Sequence, residues 1–252
     1  MIEFSSRIIK GGALLDDSRR FVEVWRPELP ADANVARIVE GNLLGKHSRS
    51  RAADVVSHVL EPRLVRPGPQ VIRTLRRLTD EPVAFREACY YEAARHDALL
   101  AAFAEEALFG WYEAGRSQLD PGEVEDWLAS LGRAGRSRDW NAQVRRRVAI
   151  GLLTSARDFG VLAGDVHKHF ATPRLSPVGF AYVAFREHEQ GRSARALMES
   201  RVWRRWLLDE ARVRDLFAEA DRLGVLRYEQ VGSALRVDWR IDALEEVARA
   251  YA

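Results

Sequence analysis

The chain has 252 residues, 47% hydrophobic and 30% charged, with a formal net charge of +2 at pH 7, a composition that buries a real core in one or two soluble globular domains. It holds no run of about 18 apolar residues to span a bilayer, and Met1-Ile-Glu-Phe-Ser-Ser-Arg lacks the charged and then apolar segments of a secretory leader. Cys89 is the single cysteine, so an internal disulfide is excluded and the expected location is the cytoplasm.

Apolar positions at three- and four-residue spacing predict helices over 13–26, 31–41 and 49–61, punctuated by Pro27, Pro30, Gly45 and Pro62. Residues 83–95 and 97–114 are the most apolar helical stretch. Leu99, Phe103, Ala107 and Trp111 form one stripe there and Leu100 and Leu108 widen it, a width that belongs in the middle of a bundle. Cys89 reads as a small core residue, and His96, at the junction, as an interior or boundary histidine rather than a ligand. Asp120-Pro121 supplies an N-cap and a first-turn proline for a helix to about Leu131. The next helix runs from near Asp139 to about Phe159. Trp140, Val144, Val148 and Leu152 make its stripe, Arg145, Arg146 and Arg147 spread around the remaining circumference, and residues 149–153 are apolar all round. Its basic N-terminal half should project and its apolar half embed, as a recognition helix enters a major groove with its first turns. Residues 160–163 read as a short strand, Gly164-Asp165 as a turn and residues 166–170 as a returning strand. Helix, helix, hairpin is the winged helix-turn-helix order, with Lys168 and Arg174 placed to lie along phosphates. The order recurs in helices over 201–208 and 210–223 and strands over 225–230 and 234–239 around Gly232-Ser233. This last hairpin is nearly neutral and reads as a scaffold or protein contact before a DNA reader. The expected fold is therefore mainly α, a multi-helical bundle with winged-helix-like elements and two short β-hairpins. It divides into an N-terminal bundle (1–118), a winged-helix-like unit with the basic helix (119–178) and a C-terminal winged-helix-like unit (179–252).

Charge falls in blocks: +4 over residues 1–80, −8 over 81–132, +6 over 133–175 and zero over 176–252. Arginine's planar fork of donors fits phosphate oxygens and the acceptor edge of guanine, so the third block points to a nucleic-acid surface. The candidate contacts are Arg138, Asn141, Arg145, Arg146 and Arg147 on and before the helix, and His167, Lys168, His169 and Arg174 on and after the hairpin. A second basic segment, residues 43–77, adds Lys46, Arg49 and Arg51, which either touch DNA near a helix start or pair with the acidic block.

Catalytic chemistry finds no foothold. Asp165, His167 and His169 alternate as a metal constellation would, but they lie amid positive charge, and histidines in a wing also contact phosphate. The loop from Gly41 to His47 is one residue short of a phosphate loop between its glycines, and His47 stands where a hydroxyl must hold magnesium. No lysine follows a carboxylate by two residues as a restriction-type nuclease requires, and neither a Gly-x-Ser-x-Gly elbow nor a His-Glu-x-x-His pair occurs. The remaining acidic residues lie on amphipathic helices as solvated faces. No enzyme activity, cofactor or metal is expected.

The run Lys10-Gly11-Gly12-Ala13-Leu14-Leu15, then Glu40-Gly41-Asn42-Leu43-Leu44-Gly45-Lys46 and Ser48-Arg49-Ser50-Arg51, resembles the BrxA family, a small component of BREX bacteriophage-defence systems. The resemblance continues from Trp140 to Gly160, at Pro173-Arg174-Leu175 and from Trp203 through Tyr228. It implies a mostly helical, non-enzymatic protein that binds double-stranded DNA through winged-helix-like elements. A likeness of the family to the RNA-binding antitermination factor NusB implies an RNA-binding scaffold instead. The carry-over reaches Lys46, Arg49 and Arg51 and the helix bearing Arg145 to Arg147. A third reading is a structural adaptor that docks other BREX proteins.

Overall fold

The computed structural model describes residues 4–232 and 234–248. It is mainly helical with two small antiparallel sheets. The N-terminal half contains α1 (Ile8–Gly11), α2 (Leu15–Val24), α3 (Ala31–Glu40), α4 (Arg49–Val55), α5 (Pro69–Arg77), α6 (Pro82–His96), α7 (Ala98–Ala102) and α8 (Phe109–Glu113). The helix predicted to stop before Pro62 instead continues from α4 through a π-helical segment, Val56–Val65, with Pro62 inside it. The wider winding accommodates a ring that clashes with the carbonyl four residues back in an α-helix. A second π-helical segment, Phe103–Leu108, joins α7 to α8. Asp97 caps α7 through the amides of Leu99 and Leu100.

The second half begins with strand β1 (Gln118–Leu119), unforeseen because two residues carry no periodicity, and continues with α9 (Pro121–Arg133), α10 (Ala142–Asp158), β2 (Leu162–Ala163) and β3 (Lys168–Phe170). Asp120 and Glu123 form a reciprocal capping box on α9. The three strands order β1-β3-β2, all antiparallel, so the hairpin reaches back to the strand preceding α9. Next come α11 (Pro177–His188), α12 (Ala194–Met198), a 3₁₀ turn at Arg201–Trp206, α13 (Glu210–Arg222), the hairpin strands β4 (Leu226–Val231) and β5 (Ala234–Trp239), and α14 (Leu244–Val247). The hairpin forms where strands were predicted, and its partners alternate: Leu226 faces Trp239, Tyr228 faces Val237 and Arg227 faces Asp238. Of its turn, Ser233 lies outside the described residues.

One hydrophobic cluster draws on every part of the chain. Its centre is the pair α6 and α11, and the latter was not anticipated because Phe180 to Phe185 is buried all round and shows no helical stripe. The pair corrects the reading of the acidic residues as solvated. Glu87, Glu92 and Glu187 are buried between these helices. Tyr91 Oη donates to Glu187 at 2.7 Å, Tyr182 Oη to Glu92 at 2.8 Å and Arg186 Nε to Glu92 at 2.9 Å. Glu87 accepts from the Ser176 amide at 3.0 Å and from its hydroxyl, at the start of α11. Cys89 is buried in the same layer, where desolvation pushes its thiol far above the usual range.

Candidate nucleic-acid interface

Asn141 ends the approach to α10 in extended backbone and accepts from the Val144 amide at 2.9 Å, so its side-chain oxygen caps the helix. Trp140 therefore precedes the helix rather than joining its stripe. From Val148 onward the apolar residues Val148, Ala149, Leu152, Leu153 and Ala156 are buried, as expected of the embedded half. The all-round burial expected of residues 149–153 fails at Ile150, which is 46% exposed. Gly151 meets Ile8 of α1, and α9, α1 and β2 pack against the helix.

The three arginines have three different environments. Arg145 is half-buried and folds back, its guanidinium donating to the Trp140 carbonyl at 2.5 Å, with Asp139 at 3.8 Å. Arg146 is exposed and pairs with Glu125 of α9 at 2.9 Å. Arg147 is exposed and opens onto a cavity of about 610 Å³ that it shares with Arg7, Lys10 and Arg66. The turn between α9 and α10 is held from outside by the N-terminal segment. Phe4 pairs with Ser137 as a parallel bridge, its amide donates to the Arg136 carbonyl at 2.9 Å, and the Arg136 guanidinium lies over its ring. Arg136 also makes a bidentate pair with Glu106 at 2.7 and 2.8 Å, and this pairing holds the Glu106 carboxyl below its ordinary pKa. Arg138 is exposed beside it.

In the β2–β3 hairpin, residues 164–167 form the turn, two residues longer than predicted, so Asp165 and His167 are off the strand and the expected shared face with His169 does not form. Gly164 has φ +88°, and a Cβ there would sit 2.1 Å from the His167 carbonyl oxygen, so the turn requires glycine. Asp165 accepts from Arg157 of α10 at 2.8 Å, which ties the turn to the helix. Lys168 corrects the sequence reading: it is only 7% exposed and its ammonium donates to the Asp165 carbonyl, closing the turn from inside instead of projecting at the tip. His167 and Val166 occupy the exposed tip, His169 is exposed on β3 and Arg174 is exposed beyond it. Among the described residues no group of three or more His, Cys, Asp or Glu is arranged to hold a metal ion, and no helix is long and apolar enough to cross a membrane.

In the N-terminal basic segment Lys46 and Arg51 are already engaged. Lys46 pairs with Asp17 at 2.5 Å and Arg51 with Asp54 at 2.8 Å. Both partners lie outside residues 81–132, so the acidic block is not what these two hold. That block is met instead by Arg136, Arg146, Arg186 and Arg205. Arg49 is exposed at the first position of α4, whose N-cap is Ser48. The loop before it closes on itself through Asn42, which exchanges hydrogen bonds with Lys46 at 2.6 and 3.0 Å. Sequence reasoning missed the cavity beside Arg147, since its cations come from distant positions.

The sequence model of the family described as BrxA matches residues 2–187. No curated protein matches the chain. Among solved structures, the fold is similar to the crystal structure of an uncharacterized protein from Magnetospirillum magneticum. That match has a TM-score of 0.63 at 17% sequence identity and covers 81% of this chain and 98% of the other.

Proposed function

The chain belongs to the BrxA family, a BREX-associated family, and from that premise we propose that it binds double-stranded DNA without catalysing a reaction, as one component of the phage-defence assembly. The observation that carries this reading is the arrangement around α10. A helix ending at Glu113, then β1, α9, α10, β2 and β3 in sheet order β1-β3-β2, supports the winged-helix reading of this segment. The helix in the recognition position bears exposed Arg146 and Arg147 on its first turns. Arg138, Arg146, Arg147, His167, His169 and Arg174 form the contact surface, with Arg49 as an outlying phosphate contact. Asn141, Arg145 and Lys168 act by holding the helix start and the turn in place, and Lys46 and Arg51 by their ion pairs near α4.

Most of the affinity then comes from phosphates, because arginine is abundant and no row of exposed aromatics offers a stacking platform. The neutral β4–β5 hairpin, whose outer face pairs Arg227 with Glu229 and Arg236 with Asp238, is the surface for other BREX proteins. Titrating the protein and its Arg145/Arg146/Arg147 triple alanine variant against duplex DNA, single-stranded DNA and RNA at two salt concentrations tests the proposal. The variant should fold and lose several kcal/mol of duplex affinity, at roughly 1–3 kcal/mol per charge-assisted contact. Preference for a structured RNA turns the reading to an antitermination-type scaffold, and negligible nucleic-acid affinity with a stable protein partner turns it to an adaptor.

A further inference from the structure

We propose that the cavity between α1, the π-helical segment at Val56–Val65 and α10 is a binding site for a phosphate-bearing nucleotide. Four cations open onto it: Arg7 and Lys10 from α1 and its approach, Arg66 from the end of the π-helical segment and Arg147 from α10. Among the described residues no carboxylate lines the cavity. The two on its rim hold the cavity cations only loosely, with Asp54 at 4.0 Å from Lys10 and Glu61 at 3.9 Å from Arg66, and Asp54 has its close partner outside the cavity, Arg51 at 2.8 Å. Pairs of that length between exposed side chains are weak and yield to a bound anion. Arg7 and Arg147 make no ion pair among the described residues.

The rest of the lining suits a nucleoside. Ile9, Val59, Pro62 and Val144 supply apolar wall, and Ser5 and Ser6 supply hydroxyls. His58 has its Nδ1 occupied by Asp54 and Ser57 at 3.1–3.2 Å, which leaves Nε2 for a ligand. At about 610 Å³ the cavity is of the size that takes a small molecule. The local field is positive from below as well. Arg63 is buried behind the wall, where it donates to the Gly12 carbonyl at 2.9 Å. His96, on the cavity edge, is held below its ordinary pKa first by desolvation and then by Arg63, Arg7 and Arg66. An anion entering here gains from all of these cations, with Asp54, Glu61 and the buried Asp97 that faces Arg63 and Arg7 opposing.

The site shares only Arg147 with the proposed duplex surface, so either reading can fail alone. The nucleotide is either free in solution or the phosphorylated end of a strand, and the two sources share the recognition chemistry. Calorimetric titration of the full chain with AMP, adenosine, inorganic phosphate and short single-stranded oligonucleotides, with and without a 5′-phosphate, tests the assignment. AMP should bind with Kd below about 1 mM and adenosine roughly tenfold or more weakly, as loss of charge-assisted contacts implies. A 5′-phosphate effect with no AMP binding assigns the strand end as the source. Arg66→Ala and Arg7→Ala, both exposed and outside the core, should each weaken the phosphorylated ligand roughly tenfold with an unchanged melting temperature. Arg146→Ala should weaken duplex DNA and leave AMP alone. Failure of AMP, phosphate and the phosphorylated oligonucleotide to bind, or binding that survives both cavity substitutions, overturns the site whatever the duplex titration shows.

Discussion

Glu87 illustrates how single residues here are spent on structure. It lies beneath the first turn of α11, holds the Ser176 amide and hydroxyl and touches the only kind of residue that leaves it room: a Cβ on Gly179 would fall 2.0 Å from its Oε2. Gly179→Ala should therefore push the carboxylate off Ser176 and cost about 1–3 kcal/mol in a denaturant titration, as overpacking does. Desolvation raises the pKa of Glu87 against the lowering effect of its Ser176 hydrogen bonds. A carboxyl whose folded pKa is raised stabilises the fold fully below its unfolded value and loses that contribution as pH rises through the folded one. Wild type should accordingly gain stability relative to Glu87→Gln as pH falls from neutral through the raised pKa toward the ordinary carboxylate range. A gap that widens in the other direction refutes the assignment. Lys168 and Arg147 make a second contrast of roles. Lys168→Ala should lower the melting temperature by opening the turn at Asp165, whereas Arg147→Ala should leave melting unchanged and weaken duplex binding.

The α6 and α11 pair acts as a unit because its polar groups are mutually dependent. Glu92 is the shared acceptor of Tyr182 and Arg186, and both Arg186 and Glu92 side chains are almost wholly withdrawn from water. Removing Glu92 leaves the buried Arg186 guanidinium with Glu189 alone and Tyr182 without its acceptor, so Glu92→Ala should destabilise the protein by about 3–5 kcal/mol, measured by urea midpoint. α10 is positioned by elements on both sides of it in sequence. Phe4 and Arg136 fix the turn before it, and Arg157 with Asp165 fixes the hairpin after it. α10 and the hairpin after it are thus tied together within the fold, which under the proposed duplex binding spares the cost of ordering them.

On the scale of the whole molecule, the alternating charge blocks resolve into internal pairing and a remainder. The acidic block meets Arg136, Arg186 and Arg205 within the fold, and Lys46, Arg51 and Lys168 are also engaged. What is left for phosphates is far smaller than the basic count of the sequence. The salt dependence of duplex binding should therefore correspond to about four neutralised phosphates, at ~0.9 per phosphate in a log-log plot. A slope near eight means that the internal pairs open on binding, and a flat response means that phosphates are not the partner.

The sequence by itself determined most of the helices, because amphipathic periodicity and the caps at Asp120 and Ser48 are local signals that survive in any context. It likewise determined the existence of the β4–β5 hairpin, whose strands form close to the predicted ranges. The family was legible too, in short runs spread over the chain. Only the tertiary structure decided α11, whose residues are apolar on every side and so carry no period, and the passage of a helix through Pro62, which depends on a change of winding. It alone separated the cations that hold the fold from those that face outward: Lys168 and Arg145 look as basic in sequence as Arg147, and partner carbonyls, set by the chain path, distinguish them. The cavity beside Arg147 belongs to the same class, since Arg7, Lys10, Arg66 and Arg147 converge only when α1 packs against both the π-helical segment and α10. Local physics writes helices and turns into neighbouring residues, whereas the fate of a charge depends on what folding brings beside it from elsewhere in the chain.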